Sequence, residues 1–168
     1  MRRRAFWVKF AVLVVAQILI CVYLDLSTRI FISILPALIL LLPIKTRTIP
    51  ALIIAFATGF VVDLLAGSTI GITSASLLVC ALTRYSLIES VFGQELVIRS
   101  EELSLSRQGW LKMSTGLLII LAEFLLVYIL FDSAGTRTFI FNFVKFSLSL
   151  LIDFLLCFAV TIFICSDR

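Results

Sequence analysis

With 168 residues, 62% of them hydrophobic and 14% charged, the chain is too apolar for a soluble domain of its length. Apolar runs long enough to cross a bilayer recur along almost the whole sequence, which points to an integral membrane protein with one bundle. The net charge of +4 is explained by topology rather than by nucleic acid, because the basic residues sit beside the ends of the runs.

The chain contains no histidine, which removes imidazole acid–base chemistry and the commonest metal ligand. Its cysteines, Cys21, Cys80, Cys157 and Cys165, lie in or at the edge of apolar segments and form no close metal-binding pair. They read as small apolar residues, with no disulfide framework, zinc site or cofactor expected.

Arg2, Arg3, Arg4 and Lys9 precede an apolar stretch, as in a secretory signal peptide. That alternative is rejected for want of a small-x-small cleavage site or an exported domain; at Leu19-Ile20-Cys21 the bulky Ile20 also disfavours a lipoprotein acceptor. The first span is therefore Phe6–Leu24, with Trp7 and Tyr23 as interfacial anchors. Ile30–Ile44 follows, broken by Pro36 and closed by Pro43. As a helix it would reach only about 22 Å, so it either spans a thinned bilayer or is re-entrant.

Span three is Ile49–Ala66, with Pro50 suited to its first turn, and span four is Ile70–Ile88. Glu89–Trp110 is the one long polar stretch and reads first as a solvated connector; its interspersed leucines suit a short surface helix, and a cytoplasmic contact is the second reading. Leu111–Phe131 and Thr138–Cys165 complete six expected spans in a single domain, an all-α transmembrane bundle. Six spans put Arg2, Arg3, Arg4, Lys9, Lys45, Arg47, Arg84, Arg99, Arg107, Lys112 and Arg168 on one side, against Arg29 and Arg137 on the other. The asymmetry predicts cytoplasmic termini and favours crossing by the second segment.

Acids and bases inside spans are costly and face protein or water. Glu123 and Lys145 lie at similar depths on adjacent antiparallel spans, where an ion pair is expected to serve helix packing rather than function; Asp153 sits deeper with no partner to name. Asp63 lies on one helical stripe with Gly59 and Gly67, ahead of a polar turn containing Ser68, Thr69 and Gly71. It is expected to brace that turn near the bundle surface, with ligand binding or a partner contact as alternatives. The glycines permit close approach of another backbone. No phosphate loop, nucleophile elbow or paired catalytic carboxylates occur, so no enzymatic activity is expected.

The run Gly59-x-x-x-Asp63-x-x-x-Gly67-Ser68-Thr69-x-Gly71 resembles the signature of the bacterial rod shape-determining MreD family. Pro36 before Leu38-Ile39-Leu40-Leu41 is similar to that family's second segment, although Ala37 stands where Asp or Asn is common, so no polar role is carried over to that position. The resemblance covers Ile54–Ser76 closely and Leu35–Leu42 more weakly. It implies a non-enzymatic inner-membrane subunit of the cell-wall elongation machinery, working with MreC, the actin-like MreB, the glycosyltransferase RodA and its partner transpeptidase in lateral peptidoglycan synthesis. The family also looks like the six-span, vitamin-binding S components of energy-coupling factor transporters, which supplies the alternative function. The short outer turns, without an aromatic-rich lid, argue against it. An ion or proton carrier using Asp63, Glu123 and Asp153 is a third possibility, with no relay evident from the spacing.

Overall fold

The apolar runs fold as helices. The computed structural model describes residues 2–23, 31–43, 46, 48–66, 69–93, 109–133 and 139–165; among these there are six helices and no strand. They are α1 (Arg2–Tyr23), α2 (Leu35–Leu40), α3 (Thr48–Ala66), α4 (Ile72–Phe92), α5 (Trp110–Ser133) and α6 (Phe139–Cys165). All but α2 are long and apolar enough to cross a membrane, so the chain is a multi-pass membrane protein with five such helices. Their outer faces expose Val12, Ile53, Phe60, Leu82, Leu130 and Leu151, which suits contact with lipid tails.

Helix ends follow local chemistry. Pro50 occupies the first turn of α3, where its missing N–H interrupts no ladder. Gly93 ends α4 at a φ of 92° and donates its N–H to Glu89 O at 3.1 Å. Residues 94–108, where the surface helix was expected, lie outside the described residues.

Contacts fix the direction of each helix. Asp63, near the end of α3, meets Ser74 at the start of α4. Gly116, near the start of α5, meets Phe92 at the end of α4. Lys9, near the start of α1, donates to Phe163 O near the end of α6 at 3.2 Å. The short link between α5 and α6 makes these two antiparallel as well. Thus α1, α3 and α5 run one way and α4 and α6 the other. Since α1 and α3 are parallel, the chain between them must return along the bundle.

That return is made through the interior. Ser33 to Leu42 are buried, among them every residue of α2. Only six residues are helical, about 9 Å of rise, rather than the span-length helix expected over Ile30–Ile44. Pro36 in the first turn of α2 tolerates the missing N–H, and Leu41 closes the helix by donating to Ala37 O at 3.0 Å. Leu38, Leu77, Leu117 and Phe124 help pack the core around it. Lipid is as apolar as these side chains, so close packing and internal hydrogen bonds, rather than exclusion of water, hold the segment.

Candidate functional site

Two constellations concentrate the chain's polar chemistry. The first joins α3 to α4. Gly71 begins α4 with a φ of 100° and no side chain to cap the new helix. Asp63 supplies the cap from the neighbouring helix: its Oδ2 accepts the Gly71 N–H at 2.9 Å and the Ser74 N–H at 3.4 Å. Free N–H groups and the positive end of the helix dipole both favour a carboxylate there. Ser74 closes the turn by donating its hydroxyl to Gly71 O at 3.0 Å.

Gly59 lies one turn before Asp63 on α3. A Cβ placed on it would stand 2.5 Å from Ser74 Cα and 2.8 Å from Ser74 N. The backbone that this glycine admits is therefore α4 of the same chain. Gly59, Asp63 and Gly71 come together around Ser74, while Pro36 belongs to α2; Gly67 and Ser68 lie outside the described residues. The topology count places Asp63 close to the surface, but the carboxylate is enclosed between the two helices, and the residue is 1% exposed.

The second constellation braces the internal segment. Around Ser33, Gln17 of α1 acts as a substitute strand. Its Nε2 donates to Ile32 O at 2.9 Å, and its Oε1 accepts the Ile34 N–H at 2.8 Å. This is the pairing a residue of a parallel β-ladder would make. On the other side, α6 contributes Ser149 Oγ to the Phe31 N–H at 2.9 Å and Asp153 Oδ1 to the Ser33 N–H at 3.0 Å. The Cys157 thiol donates to Ser33 O at 3.4 Å. Successive acceptors on α6 are four residues and about 6 Å apart. The two N–H groups they receive are two residues apart, up to about 7 Å along a non-helical chain, so the registers match.

Arg84 satisfies the far end of the same segment. Its Nε donates to Leu40 O at 3.3 Å, and its terminal nitrogen donates to Leu42 O. Counted as a basic residue at the membrane surface, Arg84 is instead buried at 4% exposure, holding carbonyls at the end of α2. Non-helical backbone at membrane depth needs enclosure and internal partners of this kind. Asp153 Oδ2 is the exception: it is enclosed and has no hydrogen-bond partner among the described residues.

The expected pairing of Glu123 with Lys145 is not formed. Lys145 Nζ meets Asp132 Oδ2 at 2.7 Å, and Glu123 Oε2 accepts the Thr83 hydroxyl at 2.6 Å. Side chains lean toward the N-terminus of their own helix. On antiparallel α5 and α6, residues at equal depth therefore lean apart, Lys145 toward the end of α5 and Glu123 away from it.

Sequence reasoning passed over Gln17, Arg84, Ser149 and Cys157, although a signal was present for three of them. Lys145, Ser149, Asp153, Cys157 and Thr161 recur every four residues along α6, and all five are buried. Arg84 shares the phase of Leu77, Ala81 and Ile88 on the buried face of α4. Among the described residues no three His, Cys, Asp or Glu side chains gather as a metal site would. Cys21, Cys80 and Cys157 are free thiols, with Cys80 directed at Ile120 O, 3.7 Å away. No protein-family model, curated protein or solved structure matches the chain.

Proposed function

We propose that this chain is an MreD-like, non-catalytic subunit of the bacterial cell-wall elongation machinery, which supports rod shape by associating with an MreC-like protein and other elongation proteins. One observation carries the reading. Gly59, Asp63 and Gly71, three of the four described residues of the signature-like run, form one joint in which each has a distinct physical task. The motif spacing is thereby linked to a particular hairpin rather than to apolar composition, which many small membrane proteins share.

The path of the chain supports the same reading. Five long helices are candidate spans, and taking the internal return between α1 and α3 as a further pass gives the six that the family resemblance implies. The end of the bundle that carries the starts of α1, α3 and α5 is also the more basic one, which favours cytoplasmic termini in the inner membrane. In this role the chain turns over no substrate and acts through helix packing and loop contacts.

The test is co-purification of the tagged chain with an MreC-like single-span protein, together with depletion of the chain in rod-shaped cells. Retention of the partner, with rounding of the depleted cells, is the expected result. Cells that keep their shape and lateral wall synthesis would overturn the proposal. Vitamin binding by the purified chain would replace it with the transporter alternative.

A further inference from the structure

Glu123 differs from Asp63, Asp132 and Asp153, the aspartates placed within the described helices. Asp63 caps α4, Asp153 is enclosed against Ser33, and Asp132 is paired with Lys145. Glu123 lies on α5 thirteen residues after Trp110 and ten before Ser133, so about 20 Å and 15 Å from its two ends. This is close to the middle of a hydrocarbon layer about 30 Å thick. The side chain is only partly buried, in the groove between α4 and α5. Thr83 donates to Oε2; among the described residues nothing donates to Oε1, and that atom is not among the enclosed ones. One carboxylate oxygen is therefore not fully enclosed at mid-depth, with the exposed side chains of Leu82, Ile119 and Leu126 nearby in sequence on the same two helices.

Lipid tails offer it no donor, and a headgroup amine lies more than ten ångströms away along the helix. A second copy of this chain does not fit either. Symmetric pairing through this face would bring Glu123 against Glu123. The basic side chains described inside the bundle are already committed, Lys145 to Asp132 and Arg84 to the end of α2.

We propose that the α4–α5 groove at Glu123 docks a membrane-spanning helix of a different chain, carrying a basic side chain midway along its length. The apolar residues of the groove receive the body of that helix, and Oε1 receives its cation. Opposite charges attract strongly in this low dielectric, and the Thr83 bond holds the carboxylate in place for the partner. The inference rests on membrane insertion alone and stands whichever complex the chain serves.

The test uses the full chain, labelled with a fluorophore in phosphatidylcholine vesicles. Its probes are leucine–alanine peptides of about 23 residues with one central lysine, one central glutamate or neither. Energy transfer should show the lysine peptide bound about tenfold more tightly than the apolar one, a difference of about 1.4 kcal/mol. Glu123→Gln keeps an acceptor for Thr83 and should bring the lysine peptide down to the apolar level. Glu123→Lys should prefer the glutamate peptide instead. Leu126→Trp, which obstructs the same face and leaves the carboxylate in place, should weaken the lysine peptide as well. Equal binding of the lysine peptide to the wild type and to all three variants would overturn the proposal. So would self-association of the chain that is lost on Glu123→Gln.

Discussion

Replacing Gly59 by alanine adds a single methyl group at the tightest point of the α3–α4 crossing. The new Cβ would lie 2.5 Å from Ser74 Cα, whereas carbon atoms settle at about 3.5 Å or more. The two helices must therefore part by about 1 Å at this point, and backbone cannot turn aside as a side chain can. Overpacking of this kind costs about 1–3 kcal/mol. Separation also stretches the Ser74 N–H bond to Asp63, already 3.4 Å long, beyond useful range, for about 1 kcal/mol more. The expected loss is about 2–4 kcal/mol of bundle stability. Denaturant titration of the purified chain in mixed micelles, followed by tryptophan fluorescence, measures it. Gly116→Ala is the comparison, because its Cβ would meet the Phe92 ring at 3.0 Å and a ring can shift by a few tenths of an ångström. Gly116→Ala should cost less than about 1 kcal/mol. If it costs as much as Gly59→Ala, or if Gly59→Ala is harmless in the isolated chain, the close approach is not what holds this joint.

Asp63→Asn retains an oxygen for the α4 cap and should cost about 1 kcal/mol, whereas Asp63→Leu leaves both N–H groups without it and should cost about 3 kcal/mol, in the same titration. Arg84→Met fills similar volume but leaves Leu40 O and Leu42 O without the guanidinium, so it should cost about 2–4 kcal/mol and increase protease sensitivity next to Pro43. Exchanging Lys145 and Asp132 for one another should recover most of the roughly 2 kcal/mol lost by either single reversal; a double variant no better than the worse single one would show that the pair does not matter. Asp153→Asn should be nearly neutral, because it keeps the bond from the Ser33 N–H, whereas Asp153→Leu should lose about 2 kcal/mol.

The long helices were legible because a predominantly apolar run of eighteen or more residues leaves few alternatives, and α3 begins and ends within a residue of its expected bounds. The internal segment was only half legible. Pro36, Pro43 and the shortness of Ile30–Ile44 marked it as unusual, but the partners that let its backbone leave the helix come from Gln17, Arg84, Ser149 and Asp153, distant in sequence. Of the joint, spacing alone put Gly59 and Asp63 on one stripe. That the stripe faces α4 and caps it depends on how the two helices cross, which spacing does not contain. Glu123 and Lys145 show the limit of counting depth, since equal depth fixes Cα positions while the lean of each side chain decides the pairing.

The bracing of Ser33 also has a consequence for biogenesis. Its acceptor Asp153 is made 120 residues later, which at 5–20 residues per second is a delay of roughly ten seconds. During that interval Gln17 is already available on α1, but the α6 side of the segment has no protein partner. The internal segment must wait at the membrane surface, in the insertion machinery or in a provisional helical form, until the last helix arrives. The last helix therefore completes the internal segment, and a chain cut short before α6 loses both.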